Sequence, residues 1–240
     1  MSSPAAPDPA ANRESEPLLG RPGAALQKPN EPLFSNLYRG TGGFALAGAI
    51  LLPAMVWSAV FTHPLLPLFS PHPLLQSLGV FTLTQAILVL QPTFDPKAKV
   101  VGARAHATLN LVSFLLFASG VAVIEANKFK SNNPHFKSLH AYLGVGVSFL
   151  MLAQYAFGFL MWGVPGVFGG VDKAKALWKY HRWGGYLVFP LILATVVTAT
   201  DTTYNHNVLG IKLWAVILSV VLIVIGVYPR IHVQKLGIRR

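Results

Sequence analysis

Residues 136–163 read FKSLHAYLGVGVSFLMLAQYAFGFLMWG, a run with no charge after Lys137 and one histidine, His140, near its first end. From Ala141 onward the run is long enough to cross a hydrocarbon core of ~30 Å as a helix, and GVPGVFGG at 163–170 is loop chemistry that ends it. Working outward, the same arrangement recurs. His72, His106, His140 and His181 each stand near one end of an apolar stretch, separated by 34, 34 and 41 residues. That spacing suits one crossing plus a short connection, so each histidine falls on a different, successive span. Successive spans run in opposite directions. His72 and His140 therefore belong near one membrane face, and His106 and His181 near the other.

Six charge-free stretches are present: Gly43 to Thr62, Pro73 to Phe94, Ala105 to Ile124, Ala141 to about Gly163, Trp183 to Thr200, and Leu213 to Pro229. Hydrophobic residues make up 53% of the chain, charged residues 11%, and the mean hydropathy is +0.51, which excludes a soluble domain of 240 residues. The expected fold is an all-α membrane protein of six transmembrane helices, with a central four-helix bundle. Residues 1–42, rich in Pro, Ala, Ser and Asn, read as a disordered N-terminal tail, 43–229 as the six-span domain, and 230–240 as a basic C-terminal tail.

There is no cysteine, which removes disulfides, thiolate metal sites and thioether-linked haem together. The net charge of +11 gathers at the edges of apolar stretches rather than in aromatic-interleaved patches, so nucleic acid is not the expected partner. Of the 19 Lys and Arg residues, 15 fall in the N-terminal tail, the second-to-third and fourth-to-fifth connections and the C-terminal tail; the other 4 are Lys128, Lys130, Lys137 and Lys212. The positive-inside rule then puts both termini in the cytoplasm. Which membrane is involved, endomembrane or plasma membrane, is left open, as is assembly, with a homodimer among the alternatives.

A single histidine at a span end is more often an interfacial residue than a ligand, but four at matched depths make two facing pairs. Zinc or copper would recruit further ligands that the charge-free spans do not supply. Haem needs two axial ligands, and its large apolar ring suits a bundle lined by aromatic and aliphatic side chains. Gly144 and Gly185, each four residues after a histidine, give a flat macrocycle room to lie against the helix. Ligation by two histidines fills both axial positions, so the chemistry is the passing of single electrons rather than oxygen activation.

The segments LFSPHPLLQSLG around His72, GARAHATLNL around His106, FKSLHAYLGVG around His140 and KYHRWGGYL around His181 resemble the four haem-ligand segments of the eukaryotic cytochrome b561 family, in order and spacing. The likeness covers roughly Gly43 to Pro229 and is greatest to the stand-alone cytochrome b561 domain-containing members. It implies two non-covalent haems b, ligated by His72 with His140 and by His106 with His181. It also implies a transmembrane reductase that takes electrons from cytoplasmic ascorbate and delivers them to monodehydroascorbate or a ferric chelate. The chain departs from well-studied ascorbate users at Val101, where they carry lysine.

Lys99, Arg104, Lys179 and Arg182 flank the cytoplasmic pair and are the candidates for holding haem propionates or an anionic donor. Their bland reading is anchorage among anionic headgroups. His63, His135 and His206 fall in the outer connections and are candidates for an acceptor or ferric-ion site, against a reading as solvated loop histidines. Gln76, Gln85, Asn110 and Gln154 lie inside spans and should face the bundle or a cofactor. Two alternatives remain: a redox-inert transporter or channel using the histidines as a path, and a haem-binding membrane protein with a regulatory role.

Overall fold

The computed structural model describes residues 25–237. Six helices follow one another: α1 (Gly42–Phe61), α2 (Pro71–Leu90), α3 (Pro96–Lys130), α4 (Leu139–Gly163), α5 (Val171–Thr198) and α6 (Leu213–Val227). All six are long and apolar enough to cross a membrane, and there is no strand among the described residues. The fold is the expected all-α, six-helix membrane architecture.

Two helices outrun the apolar stretches that signal them. Helix α3 is 35 residues long, ~52 Å at ~1.5 Å per residue. It starts nine residues before Ala105, because Asp95 caps it by accepting from the Ala98 amide at 2.9 Å while Pro96 takes the first turn, where an N–H has no partner to lose. Helix α5 begins at Val171, twelve residues before Trp183, and its first turns carry Lys173, Lys175 and Lys179. Charge-free stretches mark the part of a helix in hydrocarbon, whereas the hydrogen-bonded ladder continues into water wherever a cap allows it. Ser138 caps α4 in the same way, accepting from the Ala141 amide.

The helices are organised as three pairs. Helix α2 lies along α3, α4 along α5, and α1 along α6, with α1 also packed on α2. The α1/α6 pair is close because glycine sits at the crossing. A Cβ on Gly48 would fall 2.5 Å from the Ser219 carbonyl oxygen, and one on Gly226 would collide with the Ala45 backbone. Ala45, Ala49, Leu52, Ile223 and Val227 fill this seam and join Val80, Leu88, Phe189 and Leu193 in one buried cluster. Large apolar side chains such as Phe149 and Trp214 are exposed on the outside, as a lipid-facing surface requires.

The two tails are more structured than their composition suggests. Residues 1–24 and 238–240, with Arg13, Arg21, Arg239 and Arg240, lie outside the described residues. Within the segment expected to be disordered, Leu33–Leu37 forms a 3-10 turn, and the Gln27 amide donates to the Pro92 carbonyl at 2.9 Å. Asn36 is fully buried and donates to the Val89 carbonyl at 2.9 Å, near the end of α2. Arg230, 1% exposed, donates to the carbonyls of Asn36 (2.7 Å) and Leu88 (3.1 Å). The C-terminal segment folds back: Arg182 donates to the Lys235 carbonyl at 2.8 Å, Trp183 to that of Leu236 at 3.2 Å, and Lys235 to that of Thr93 at 3.2 Å. Polar side chains that reach the unpaired carbonyls at helix ends hold both segments, and such bonds leave no periodic pattern in sequence.

Replacing Gly226 with leucine should pry α6 from α1 and destabilise the protein by about 1–3 kcal/mol or more, the usual result of overpacking. Thermal unfolding in detergent checks this; an unchanged midpoint would mean that the seam has slack.

Candidate functional site

His72 sits in the first turn of α2 and His140 in the first turn of α4, each at the same end of the bundle. Their ring centroids are 6.1 Å apart with planes at 80°. His106, in α3, faces His181, in α5, at 6.4 Å and 90°. Each pair thus joins one histidine from the α2/α3 unit to one from the α4/α5 unit, and the two units make little direct contact elsewhere, Phe114 stacked on Tyr155 at 4.5 Å being one point where they meet. His106 and Gly120, which touches His72, are 14 residues apart on α3. That is ~21 Å along the helix. The two pairs therefore stand near opposite ends of the hydrophobic thickness.

What surrounds each ring decides what it can bind. His72 Nδ1 lies 2.9 Å from the Gly120 carbonyl, His106 Nδ1 2.8 Å from that of Ala86, and His140 Nδ1 2.8 Å from that of Thr195. A carbonyl can only accept, so the proton sits on Nδ1 in all three rings and Nε2 keeps a free lone pair. This is the support that metal-bound imidazoles usually have. His181 differs: its Nδ1 is 3.0 Å from Gln154 Nε2, a side-chain amide.

These residues fit haem b, the cofactor that membership of the resembled family would bring. Ring centroids about 6 Å apart can accept one metal ion between them at ordinary metal–imidazole distances of ~2 Å. A Cβ on Gly144 would meet nothing nearer than Thr195 Cγ2 at 3.9 Å, so that helix face is open beside His140. Gly185, by contrast, is packed against Gln154, 3.2 Å from where its Cβ would be, and serves the side chain instead of an open face. No group of three or more His, Cys, Asp or Glu suited to a metal ion occurs among the described residues. A two-histidine site is what the chain presents.

The four cations named from sequence lie at the His106/His181 end. Lys99, Arg104 and Lys179 are exposed, with Lys99 5.8 Å from the Phe94 ring and Lys179 5.0 Å from that of Tyr180. None of the four, Arg182 included, has a carboxylate within ion-pair distance among the described residues. A fifth cation, Lys235, reads from sequence only as a charge of the basic C-terminal tail, six residues beyond Pro229; the C-terminal segment folds back to bring it to this end. Burial, then the nearby charges of Arg182 and Lys99, push Lys235 down to about 8.

At the opposite end, His63, His135 and His206 are not gathered into one metal-holding group. His63 Nδ1 faces the Ala59 carbonyl at 2.7 Å, His135 pairs with Glu125 at 3.0 Å, and His206 pairs with Asp201 at 3.2 Å. Glu125 also takes Lys128 at 3.2 Å. Of the polar residues inside spans, Gln76 donates to the Phe117 carbonyl, Gln85 to that of Phe81 and Asn110 to that of His106. Gln154 is the one whose amide reaches a candidate imidazole ring.

Comparison with known proteins agrees with this geometry. The family description "Eukaryotic cytochrome b561" matches residues 71–206, which hold all four histidines. A transmembrane ascorbate ferrireductase from Arabidopsis thaliana is 27% identical over 131 residues, 55% of this chain and 56% of that protein. A lysosomal membrane ascorbate-dependent ferrireductase from Bos taurus is 26% identical, covering 67% of this chain and 54% of its own length. A plasma membrane ascorbate-dependent reductase from Rattus norvegicus is 31% identical, covering 54% and 45%. The chain thus spans about half the length of these relatives.

The depressed Lys235 makes a pH prediction. An unfolded or undocked lysine titrates near 10.4, so between about 8 and 10.4 the docked segment binds fewer protons than the free one, and docking strengthens as pH rises through that window. Hydrogen exchange of residues 231–237, corrected for intrinsic rates, should show greater protection at pH 9.5 than at pH 7.5. Lys235→Met should abolish the difference; equal protection in the wild type would contradict it.

Proposed function

The chain belongs to the eukaryotic cytochrome b561 family, and on that premise we propose that it carries single electrons across a membrane through two haems b, from a cytoplasmic reductant to an acceptor on the other side. The observation that carries this reading is the presence of two crossed histidine pairs, one near each end of the bundle. Haem b held between two imidazoles supplies a one-electron iron couple with no open coordination position. His72 and His140 would hold one group, His106 and His181 the other. The carbonyls of Gly120, Ala86 and Thr195 keep the ring protons on Nδ1 and the rings in place, which leaves Nε2 with the lone pair a metal would take. Apolar side chains of the four central helices exclude water from the region between.

Ascorbate is the donor whose chemistry suits the His106/His181 end, because it is a monoanion and that end carries Lys99, Arg104, Lys179 and Arg182, none with a carboxylate partner among the described residues. The same excess of positive charge supports assigning this end to the cytoplasm. Monodehydroascorbate or a ferric chelate is the acceptor, in keeping with relatives named as ascorbate ferrireductases.

The purified protein should show low-spin haem b bands with two haems per chain. His72→Ala and His140→Ala should deplete one spectral component, and His106→Ala and His181→Ala the other. Absence of haem from folded protein, or loss of a common component from His72→Ala and His106→Ala, would overturn the proposal. A second outcome concerns the donor. Arg104→Ala with full haem content should be reduced by ascorbate about two- to tenfold more slowly at low ionic strength, the gap closing as salt screens the attraction. Stopped-flow traces that superimpose at every salt concentration would return Arg104 to the role of a topology signal.

A further inference from the structure

Three of the four candidate ligands lean on backbone carbonyls, which have one polarity and cannot turn. His181 leans on a side chain. The Gln154 amide nitrogen lies 3.0 Å from His181 Nδ1 and 2.7 Å from the His181 carbonyl oxygen, to which it donates. A nitrogen carrying two N–H groups can serve both positions only when Nδ1 accepts, and the ring proton is then on Nε2, the other ring nitrogen. An imidazole in that form has no lone pair to offer a metal from Nε2. For His181 to ligate, the proton must be on Nδ1, and the amide must present its oxygen there instead.

The surroundings permit that reversal. The two ends of an amide have nearly the same shape, so rotating it end for end needs little volume. Gly184 and Gly185 flank it on α5: a Cβ on Gly184 would fall 2.5 Å from Gln154 Oε1, and one on Gly185 would fall 3.2 Å from Nε2. One turn further along α4, Gly158 receives the imidazole itself, since a Cβ there would be 2.6 Å from His181 Cε1. Three glycines thus clear the space in which the ring and the amide meet. The Nδ1 contacts of His72, His106 and His140 are made to helix carbonyls instead.

We propose that Gln154 is a positioning residue whose amide orientation sets which nitrogen of His181 bears the ring proton, and that this tunes the His106/His181 site separately from the His72/His140 site. The proposal rests on the haem reading above. With the oxygen turned to the ring, it accepts from Nδ1–H and increases electron release through Nε2, as outer partners of metal-bound histidines do. It is a less fixed acceptor than a helix carbonyl, because the same oxygen then lies close to the His181 carbonyl, whose hydrogen bond it has given up. Removing the acceptor therefore favours the reduced haem, and strengthening it favours the oxidised haem.

The test is a spectroelectrochemical titration of the purified, haem-loaded protein that resolves its components, with haem counted per chain. Gln154→Met keeps the bulk without an acceptor and should raise the ratio of reduced to oxidised haem at fixed potential by about tenfold in one component, or ~59 mV for one electron. Gln154→Glu, with oxygen at both ends, should move the same component the other way. Gly184→Ala displaces the amide without changing its chemistry and should shift that component in the direction of Gln154→Met. The component affected should be the one lost in His181→Ala, and the other should stay put. If all three variants keep their haem and leave both potentials at wild-type values, or move both together, Gln154 is a packing residue and the proposal fails. If Gln154→Met loses haem at one site while Gln154→Glu retains it, an acceptor at that position is required and the proposal stands. Loss from both, with Gly184→Ala titrating like wild type, overturns it. Wild-type protein that binds no haem sinks the underlying reading instead, so the two failures are distinct.

Discussion

A ring N–H donating to a main-chain carbonyl of the neighbouring helix is the contact on which the centre of this protein depends. Helix carbonyls already accept within their own ladder, but each has a second lone pair, and in hydrocarbon a polar N–H must find one. His72 and His106 bond in opposite directions between α2 and α3, to Gly120 and Ala86, so two histidines brace one helix pair near both ends. His140 braces α4 to α5 through Thr195. The same bonds leave Nε2 as the nitrogen with a free lone pair, on rings whose centroids stand about 6 Å from those of the other pair. Bracing within a pair and reaching between pairs are thus two uses of one ring, and an alanine at any of these positions loses both.

The outer pair, α1 and α6, is built on another principle. It brings no histidine to the centre and owes its closeness to missing side chains at Gly48 and Gly226. Its seam is continuous with the buried cluster that includes Val80, Leu88 and Phe189, so it backs α2 and α5 from the side opposite the histidines. Helix α4 lacks such backing and buries only Val147 and Met161. Packing thus reaches α2 and α5 from behind, while the face of α4 at Gly144 stays open to a flat group.

Much of this was legible in sequence because a membrane simplifies the grammar. Six apolar runs are hard to mistake when every crossing must satisfy its backbone internally. Alternation of direction follows from counting spans, so the two ends to which His72, His106, His140 and His181 belong could be reasoned without coordinates. Features made of single hydrogen bonds were not legible. Gln154 looked like three other polar residues inside spans, and its contact with His181 depends on the rotation of α4 about its own axis. Lys235 and Asn36 sit in stretches whose composition reads as tail, yet one polar group that meets an unpaired helix-end carbonyl outweighs composition. The aqueous extensions of α3 and α5 were hidden because charge marks where lipid ends, which is a different boundary from where a helix ends.

Arg230 ties residue 36 to residue 88 from near the far end of the chain, and this has a consequence for how the protein is made. As the ribosome feeds spans into the bilayer one after another, the 3-10 turn at Leu33–Leu37 and the end of α2 are synthesised early, but the guanidinium that joins them follows the sixth helix. Asn36 can reach Val89 once α2 is made, yet the junction stays incomplete through four further insertions. The latch therefore closes only after all six helices have been made, and a chain halted before Arg230 leaves the first packed segment without it.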